Sequence, residues 1–152
     1  VILRAYVYIL MLGSEGLRTA AENAVLNANY IKARLKDYYD LPFGLVCKHE
    51  CVFSAERQTA NDVRAIDIAK GLIDRGFHPP TIYFPTIVKE AMMIEPTECE
   101  SKETLDAFIE AMIDLARMAE NEPAKLKAAP TTTPVGRLDE TAAAKNIDIA
   151  EI

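Results

Sequence analysis

The stretch GFHPPTIYFPTIVKEAMMIEPTECESKETLDAFIEAMIDLARMA, residues 76–119, carries the clearest structural pattern in this sequence. Two consecutive prolines hold its beginning in an extended conformation, because a proline biases the residue before it away from helix. Residues 82–84 and 92–95 then have the apolar character of short strands, and each is closed by a proline. From Ser101 to Ala119, apolar residues recur at three- and four-residue steps. The stretch therefore predicts two short strands followed by an amphipathic helix.

The sequence before this stretch adds two helices and one strand to the prediction. From residue 15 to residue 39, apolar side chains fall on one stripe of a long helix. Residues 45–53 have strand character, and a second helix is expected from residue 59 to residue 75, with Gly76 at its end. The order helix, strand, helix, strand, strand, helix predicts an α+β fold. In such a fold a small, mostly antiparallel sheet has helices packed on one face.

We divide the chain into three parts. Residues 1–40 form a connecting apolar segment and a long helix, residues 41–120 form an α+β small domain, and residues 121–152 form an extended C-terminal strap, to which residues 142–145 can add a turn of helix. The chain opens with Val1 and runs directly into an apolar run at residues 5–12, which is far shorter than a membrane span of about 20 residues. Because a domain seldom buries its first residues, we expect this chain to be the C-terminal piece of a longer polypeptide; a processed or trimmed terminus is the alternative.

The composition excludes several classes of protein. A chain of 152 residues, 50% apolar and 26% charged, suits one folded domain and not a disordered segment. The formal charge of -6, from 17 basic and 23 acidic residues, argues against a nucleic-acid-binding face, which needs clustered Lys and Arg. The three cysteines have irregular spacing and do not form a disulfide framework. We therefore expect a cytoplasmic protein in a reducing setting, with no membrane association.

Cys47, His49 and Cys51 form a candidate metal site, because alternate residues of a strand share one face. Two thiols and an imidazole could converge on a zinc ion, with Cys99 as a fourth ligand. In the alternative interpretation, the two cysteines are small buried apolar residues and His49 is hydrogen-bonded at the rim. Three ligands on one unbroken strand diverge, and the sequence has no C-x-x-C pair. We favour the alternative and expect no metal.

Two further groups of polar residues have both a functional and a structural interpretation. His78 lies beside two prolines, whose rigid backbone could fix the imidazole in a site, or could simply turn the chain. Residues 95–103 concentrate carboxylates before a predicted helix, where the helix N-terminus stabilises negative charge; we favour this structural role over acid/base catalysis. The sequence also has no glycine-rich phosphate loop, nucleophile elbow or metalloprotease helix. From its residues alone, the chain is an α+β module of unassigned function.

Several motifs, taken in order, resemble those of a known family. The motifs are GFHPPT at 76–81, MIEPTE at 93–98, ESKETLDAFIEAM at 100–112, His49-Glu50, DIAKGL at 67–72 and RLDE at 137–140. Together they resemble the C-terminus of glycine dehydrogenase (decarboxylating), the P-protein of the glycine cleavage system. The stretches YFP at 83–85 and TPV at 133–135 resemble the second subunit of the two-subunit form.

The resemblance implies the small C-terminal domain of a fold-type-I pyridoxal-phosphate enzyme. Such an enzyme decarboxylates glycine and passes the remaining aminomethyl group to the lipoyl arm of the H-protein, with the cofactor as the electron sink. The implied partners are the large pyridoxal-phosphate-binding domain, the partner subunit and the lipoylated H-protein. The cofactor lysine belongs to the large domain, and no lysine of this sequence stands in the family's cofactor-lysine context. We therefore expect no cofactor-binding or catalytic residue in this chain, and no activity from the chain alone.

The resemblance also selects four candidate residues for the lining of the active-site cleft. His49, His78 and Glu95 lie within matching motifs. Arg64 lies in the matching Val63-Arg64-Ala65 and could attract a carboxylate, or could simply be solvated. The resemblance carries no catalytic step for any of these residues.

Two departures and one alternative accompany the resemblance. Gly136 stands where relatives tend to have a second arginine, and the ending at residues 146–152 lacks their basic character, so a tail contact with a partner subunit is in doubt. The alternative function is a stand-alone α+β binding or structural module without catalysis. In either case the apolar run at residues 5–12 would be uncovered in the isolated chain, so we expect self-association.

Overall fold

The computed structural model describes residues 1–146, and the remainder of the predicted tail, residues 147–152, lies outside the described part. The helices and strands follow one another in the order α1 (Ile2–Leu35), β1 (Cys51–Ser54), a 3-10 helix (Glu56–Asn61), α2 (Ala65–Ile73), β2 (Thr81–Ile82), β3 (Ala91–Ile94), α3 (Lys102–Asn121), α4 (Pro123–Lys127) and α5 (Glu140–Lys145).

The three strands form one antiparallel sheet in the order β1-β3-β2. Phe53 of β1 lies opposite Met92 of β3, and both are fully buried. Val52 lies opposite Met93, and these two residues are half-buried on the other face of the sheet. The predicted α+β class, with a small antiparallel sheet, is confirmed.

The hydrophobic core joins the sheet to the helices. Tyr39 packs edge-to-face on Phe53, with ring centroids 6.2 Å apart, and its hydroxyl donates to the carbonyl of Met112 at 2.7 Å. The apolar stripe predicted for α3 is largely buried, and Ser101 caps this helix by accepting from the backbone N–H of Thr104. The other largest buried side chains come from α1, α2, α3 and α4. They are Ile31, Leu35, Ile68, Leu72, Ile109, Leu115 and Leu126.

Helix α1 is broken at Gly13, whose φ of 60° and ψ of -170° are not helical. Tyr8 donates to the Glu98 carboxylate at 3.2 Å, and Asn27 donates to the carbonyl of Thr97 at 2.9 Å. A straight helix would separate these two donors by about 28 Å, so the first helical piece must fold back on the second. A Cβ at Gly16 would lie 2.8 Å from the Cβ of Leu12. The sharp reversal therefore depends on two glycines.

The strand predicted for residues 45–53 begins only at Cys51. The backbone of Cys47 is held by a helix side chain: Asn29 donates to its carbonyl at 2.7 Å and accepts from its N–H at 3.1 Å. Because these two backbone groups are already paired, they do not join the sheet. The prediction that Cys47 and His49 lie on a strand was therefore wrong.

The second helix was predicted to start near Thr59, and it starts only at Ala65. The residues before it form the 3-10 helix, which ends at Asp62 with a left-handed φ of 58°. The carboxylate of Asp67 then accepts from the backbone N–H of Arg64 at 2.8 Å, which satisfies a free donor at the start of α2.

The segment after α3 was predicted to be an extended strap with a turn of helix at residues 142–145; its beginning is helical instead, and the predicted turn lies within α5. Pro123 opens the short helix α4, because the first position of a helix needs no backbone N–H from its residue. Helix α5 follows later, and residues 130–139 between the two are free of helix and strand, as predicted. Arg137 fixes this stretch by donating to the carboxylate of Asp67 at 2.5 Å and to the carbonyl of Ala129 at 2.6 Å.

Asp74 is a second anchor for the strap. Its carboxylate accepts from the backbone N–H groups of Thr131, at 2.7 Å, and Thr132, at 2.9 Å, and from both threonine hydroxyls. Burial raises the pKa of Asp74, but the hydrogen bonds from Thr132 and Thr131 outweigh burial, and the pKa lies below its usual range. The ionised carboxylate is therefore the form that holds the strap.

We expect the hydrogen bonds of ionised Asp74 to contribute to the free energy of unfolding, and this contribution to be lost at acid pH. A carboxyl group with a depressed folded-state pKa stabilises fully above its unfolded pKa of about 3.9, and this stabilisation is lost as pH falls through the lower folded value. Urea unfolding between about pH 2 and pH 5 should show a shallower acid loss in Asp74→Asn than in the parent chain. Asp114→Asn, at an exposed carboxylate paired only within its helix, is the matched control. Equal acid slopes for Asp74→Asn and the parent would contradict this role.

Candidate functional site

Two cavities lie at the end of β3, and Met93 lines both of them. The first cavity has a volume of about 410 Å³ and lies between α1, α3 and the segment after α2. Its lining consists of Ile31, Phe77, His78, Pro79, Pro80, Thr81, Met93, Ile94, Glu95, Pro96, Glu100, Thr104, Leu105 and Phe108. A cavity of this size is in the range of small-molecule sites.

The first cavity brings together two of the four candidate residues, His78 and Glu95. The segment that carries His78 is anchored by Phe77, which packs edge-to-face on Phe108 of α3 with ring centroids 5.5 Å apart. The two prolines that follow His78 form part of the wall. Glu95 follows β3 directly. The end of the sheet therefore places a carboxylate in this cavity, and the proline segment places the imidazole of His78 there.

The second cavity, of about 350 Å³, contains the third candidate, His49. The Nε2 of His49 lies 3.7 Å from the Oε1 of Glu95, and both side chains are more than half exposed. This contact is an ion pair when the imidazole is protonated. The other lining residues are Lys32, Phe43, Leu45, Val46, Cys47, Lys48, Glu50, Cys51, Val52, Phe84, Pro85 and Met93. Three candidates, His49, His78 and Glu95, thus lie around the end of β3.

The fourth candidate, Arg64, does not line either of these two cavities. It precedes α2 and donates to the carboxylate of Glu90 at 3.0 Å, where the Glu90 side chain is 5% exposed. The second oxygen of Glu90 accepts from the backbone N–H of Ala65 at 2.8 Å. The carboxylate that Arg64 binds therefore belongs to this chain. The Arg64 side chain is also 62% exposed to solvent.

The cysteine and histidine side chains do not form a metal centre in the described part of the chain. Cys51 is buried in β1, Cys47 is half-buried outside the sheet and Cys99 is exposed. Burial raises the pKa of both inner thiols, that of Cys51 to about 12, and zinc binds the deprotonated thiolate. Within residues 1–146, no three His, Cys, Asp or Glu side chains are grouped closely enough to hold a metal ion.

Several polar residues that shape this region were not selected from the sequence. Glu100 and Thr104 line the first cavity, one helical turn apart at the start of α3. Their spacing could have been noticed, because residues four apart share one face of a helix. Glu90 and Asp67 gave no such signal. Glu90 pairs with Arg64, and Asp67 pairs with Arg137, and both partners are distant in sequence.

The residues present do not fit a cofactor that is held through a lysine. None of the residues that line the first cavity is a lysine. In the second cavity, Lys32 donates its ammonium to the carbonyl of Leu45, and Lys48 is exposed. A Schiff-base lysine needs a free amine, whereas the ammonium of Lys32 is held by a backbone carbonyl and Lys48 faces solvent. The lining of these two cavities therefore does not fit pyridoxal phosphate held through a lysine.

The described residues also contain no helix that is both long enough and apolar enough to cross a membrane.

Comparison with known proteins gives matches over most of the chain. The sequence profile of the family "Glycine dehydrogenase, C-terminal domain" matches residues 20–133. The chain is 60% identical over 143 residues to "Probable glycine dehydrogenase (decarboxylating) subunit 2" of Staphylococcus haemolyticus, covering 94% of this chain and 29% of that protein. The protein of the same name from Shouchella clausii is 61% identical over 143 residues, with the same coverage. The chain thus spans less than a third of the length of these curated relatives.

A solved structure also matches the fold. It is described as the crystal structure of glycine decarboxylase (P-protein) of the glycine cleavage system, in inhibitor-bound form. The TM-score is 0.58 and the sequence identity is 25%, and the match covers 71% of this chain and 24% of that one.

Proposed function

This chain belongs to the family of glycine dehydrogenase C-terminal domains, and we propose that it works as one part of a larger enzyme that decarboxylates glycine. The observation that carries this proposal is the family match over residues 20–133, together with about 60% identity to named subunits more than three times as long. In the complete enzyme, pyridoxal phosphate supplies the electron sink for the loss of carbon dioxide. The lipoyl arm of the H-protein accepts the remaining aminomethyl group, and the enzyme works in the cytoplasm.

In this proposal the chain completes the active-site cleft and does not anchor the cofactor. Residues 41–120 form the small domain, which presents His49, His78 and Glu95 towards the large domain. The Nε2 of His49 lies 3.7 Å from the carboxylate of Glu95, so the two side chains can orient each other at the cleft. Arg64 positions the start of α2 through Glu90. The cofactor lysine and the partner subunit belong to the part of the enzyme that this chain does not span.

The first helical piece of α1, residues 2–12, indicates that this chain has a large surface for contact with a partner. Ile2 is 85% exposed, Leu3 78% and Met11 80%, and the other large apolar side chains up to Met11 are also exposed. Apolar residues follow one another around the whole circumference of the helix, and such a helix is usually buried on all sides. We therefore assign residues 1–40 as the connection to the large domain, which would enclose this piece. The apolar surface area that is left open is also the reason to expect self-association of the isolated chain.

Reconstitution of the glycine–bicarbonate exchange tests the proposed function. The chain alone, mixed with pyridoxal phosphate, glycine and labelled bicarbonate, should show no exchange and no absorbance band of a lysine-bound cofactor. Co-expression with subunit 1 and the unmatched part of subunit 2 from Staphylococcus haemolyticus should restore exchange. Omitting this chain from the same mixture is the control. Exchange by the chain alone would refute the proposal, and failure to restore exchange with folded components would favour a stand-alone binding or structural module.

A further inference from the structure

The first cavity combines apolar walls with negative charge at its rim. Its floor and sides are apolar side chains from α1, α3, β3 and the proline segment, Ile31, Met93 and Phe108 among them. Two carboxylates, Glu95 and Glu100, also line it. A ligand that fits such a cavity needs an apolar body and one polar end.

The charge of the lining determines the sign of that polar end. No lysine or arginine is among the residues that line the first cavity, whose ionisable side chains are two carboxylates and the imidazole of His78. The basic residue nearest in sequence to Glu100 is Lys102, and its ammonium group pairs with the carboxylate of Asp106 at 2.5 Å. His49 reaches Glu95 from the second cavity, at 3.7 Å. The cavity thus keeps an excess of negative charge, which attracts a cation and repels an anion.

Hydroxyl groups at the rim add hydrogen-bond acceptors to this charge. Thr81 of β2 and Thr104 of α3 both line the cavity, and both are exposed. An ammonium group has three N–H donors and no acceptor. Carboxylate and hydroxyl oxygens together can satisfy such a group, while the apolar walls cover the chain attached to it.

We propose that the first cavity binds a small aliphatic primary amine, with its ammonium group at Glu95 and Glu100 and its alkyl chain against the apolar walls. The proposal rests on the cavity alone and does not depend on the proposed function. Free glycine is a poor ligand for this cavity, because its own carboxylate would lie close to the two glutamates. An alkylammonium without a carboxylate has the matching charge and shape.

Titration of the chain with n-butylammonium tests the proposal, with amide shifts in the NMR spectrum as the readout. Saturable shifts should appear at Thr81, Met93 and Thr104. Affinity should rise from ethyl- to hexylammonium by about two- to four-fold for each methylene that is buried. Glu100→Gln and Glu95→Gln should each weaken binding by about two- to five-fold, as expected for an exposed ion pair.

Matched ligands and a matched variant separate this site from general binding. Butyrate and butanol have the same chain length without the positive charge, and neither should produce saturable shifts in the cavity. Glu120→Gln removes an exposed carboxylate at the other end of α3 and should leave the affinity unchanged. Equal binding of butyrate, or unchanged butylammonium affinity in Glu95→Gln and Glu100→Gln, would overturn the proposal. Thermal unfolding of each variant establishes that it is folded.

Discussion

Asp67→Ala should lower the free energy of unfolding by about 2 to 4 kcal/mol. One oxygen of Asp67 accepts from the backbone N–H of Arg64 at the start of α2, and the other accepts from the guanidinium of Arg137. The side chain is buried, so its loss removes a helix cap and leaves Arg137 with the carbonyl of Ala129 but without its carboxylate partner. A single substitution therefore weakens both the start of α2 and the attachment of the strap.

A double-mutant cycle with Arg137→Ala separates the two contributions of Asp67. The helix cap should be lost in Asp67→Ala whether or not Arg137 is present. The contact between Asp67 and Arg137 is lost in either single variant, and the double variant loses nothing further from it. Urea unfolding of the two single variants and the double variant gives the coupling energy, expected at about 1 to 3 kcal/mol. Asp114→Asn serves again as an exposed control on α3. A coupling energy near zero would show that the Asp67–Arg137 contact does not hold the strap.

Charged substitutions on the first piece of α1 should have the other large effect, on the assembly of the isolated chain. We expect the parent chain to form dimers or larger species, because its exposed apolar side chains bury one another. Leu3→Lys with Leu10→Lys replaces two side chains that are 78% and 63% exposed. Each buried leucine contributes about 1.5 to 3 kcal/mol, so the association constant should fall on the order of a hundredfold or more.

Light scattering across a range of protein concentrations measures this effect. The matched control is Val135→Lys with Leu138→Lys, which places two lysines at similarly exposed apolar positions on the strap. This control should leave the association constant of the parent unchanged. A parent chain that is monomeric at high concentration would contradict the prediction. Equal losses of association in both double variants would show that the added charge is responsible, and not the location on α1.

Local patterns in the sequence predicted much of the fold. The stripe of α3 and its cap at Ser101 could be recognised because helix period and capping are short-range signals. The strand at residues 45–50 could not be excluded, since the hydrogen bonds that Asn29 makes to Cys47 join distant positions. Helix α4 was missed because its five residues are too few to show a helical period.

The candidate site was only partly predictable, for a similar reason. His78 and Glu95 were selected one by one, and their presence in one cavity follows from the packing of the proline segment on α3. The contact between His49 and Glu95 depends on the pairing of β1 with β3, in which Cys51 lies opposite Ile94. Strand register sets such contacts, and a four-residue strand has too short a pattern to reveal its register in the sequence.

The paired prolines beside His78 have a consequence for the energetics of the first cavity. Each proline ring fixes its own φ angle, so this wall has few alternative conformations to lose when the cavity is filled. A receptor that is preorganised in this way has a small entropic cost of ordering. Differences in affinity within a series of ligands would then reflect how well each ligand fits, and not how readily the protein adapts to it.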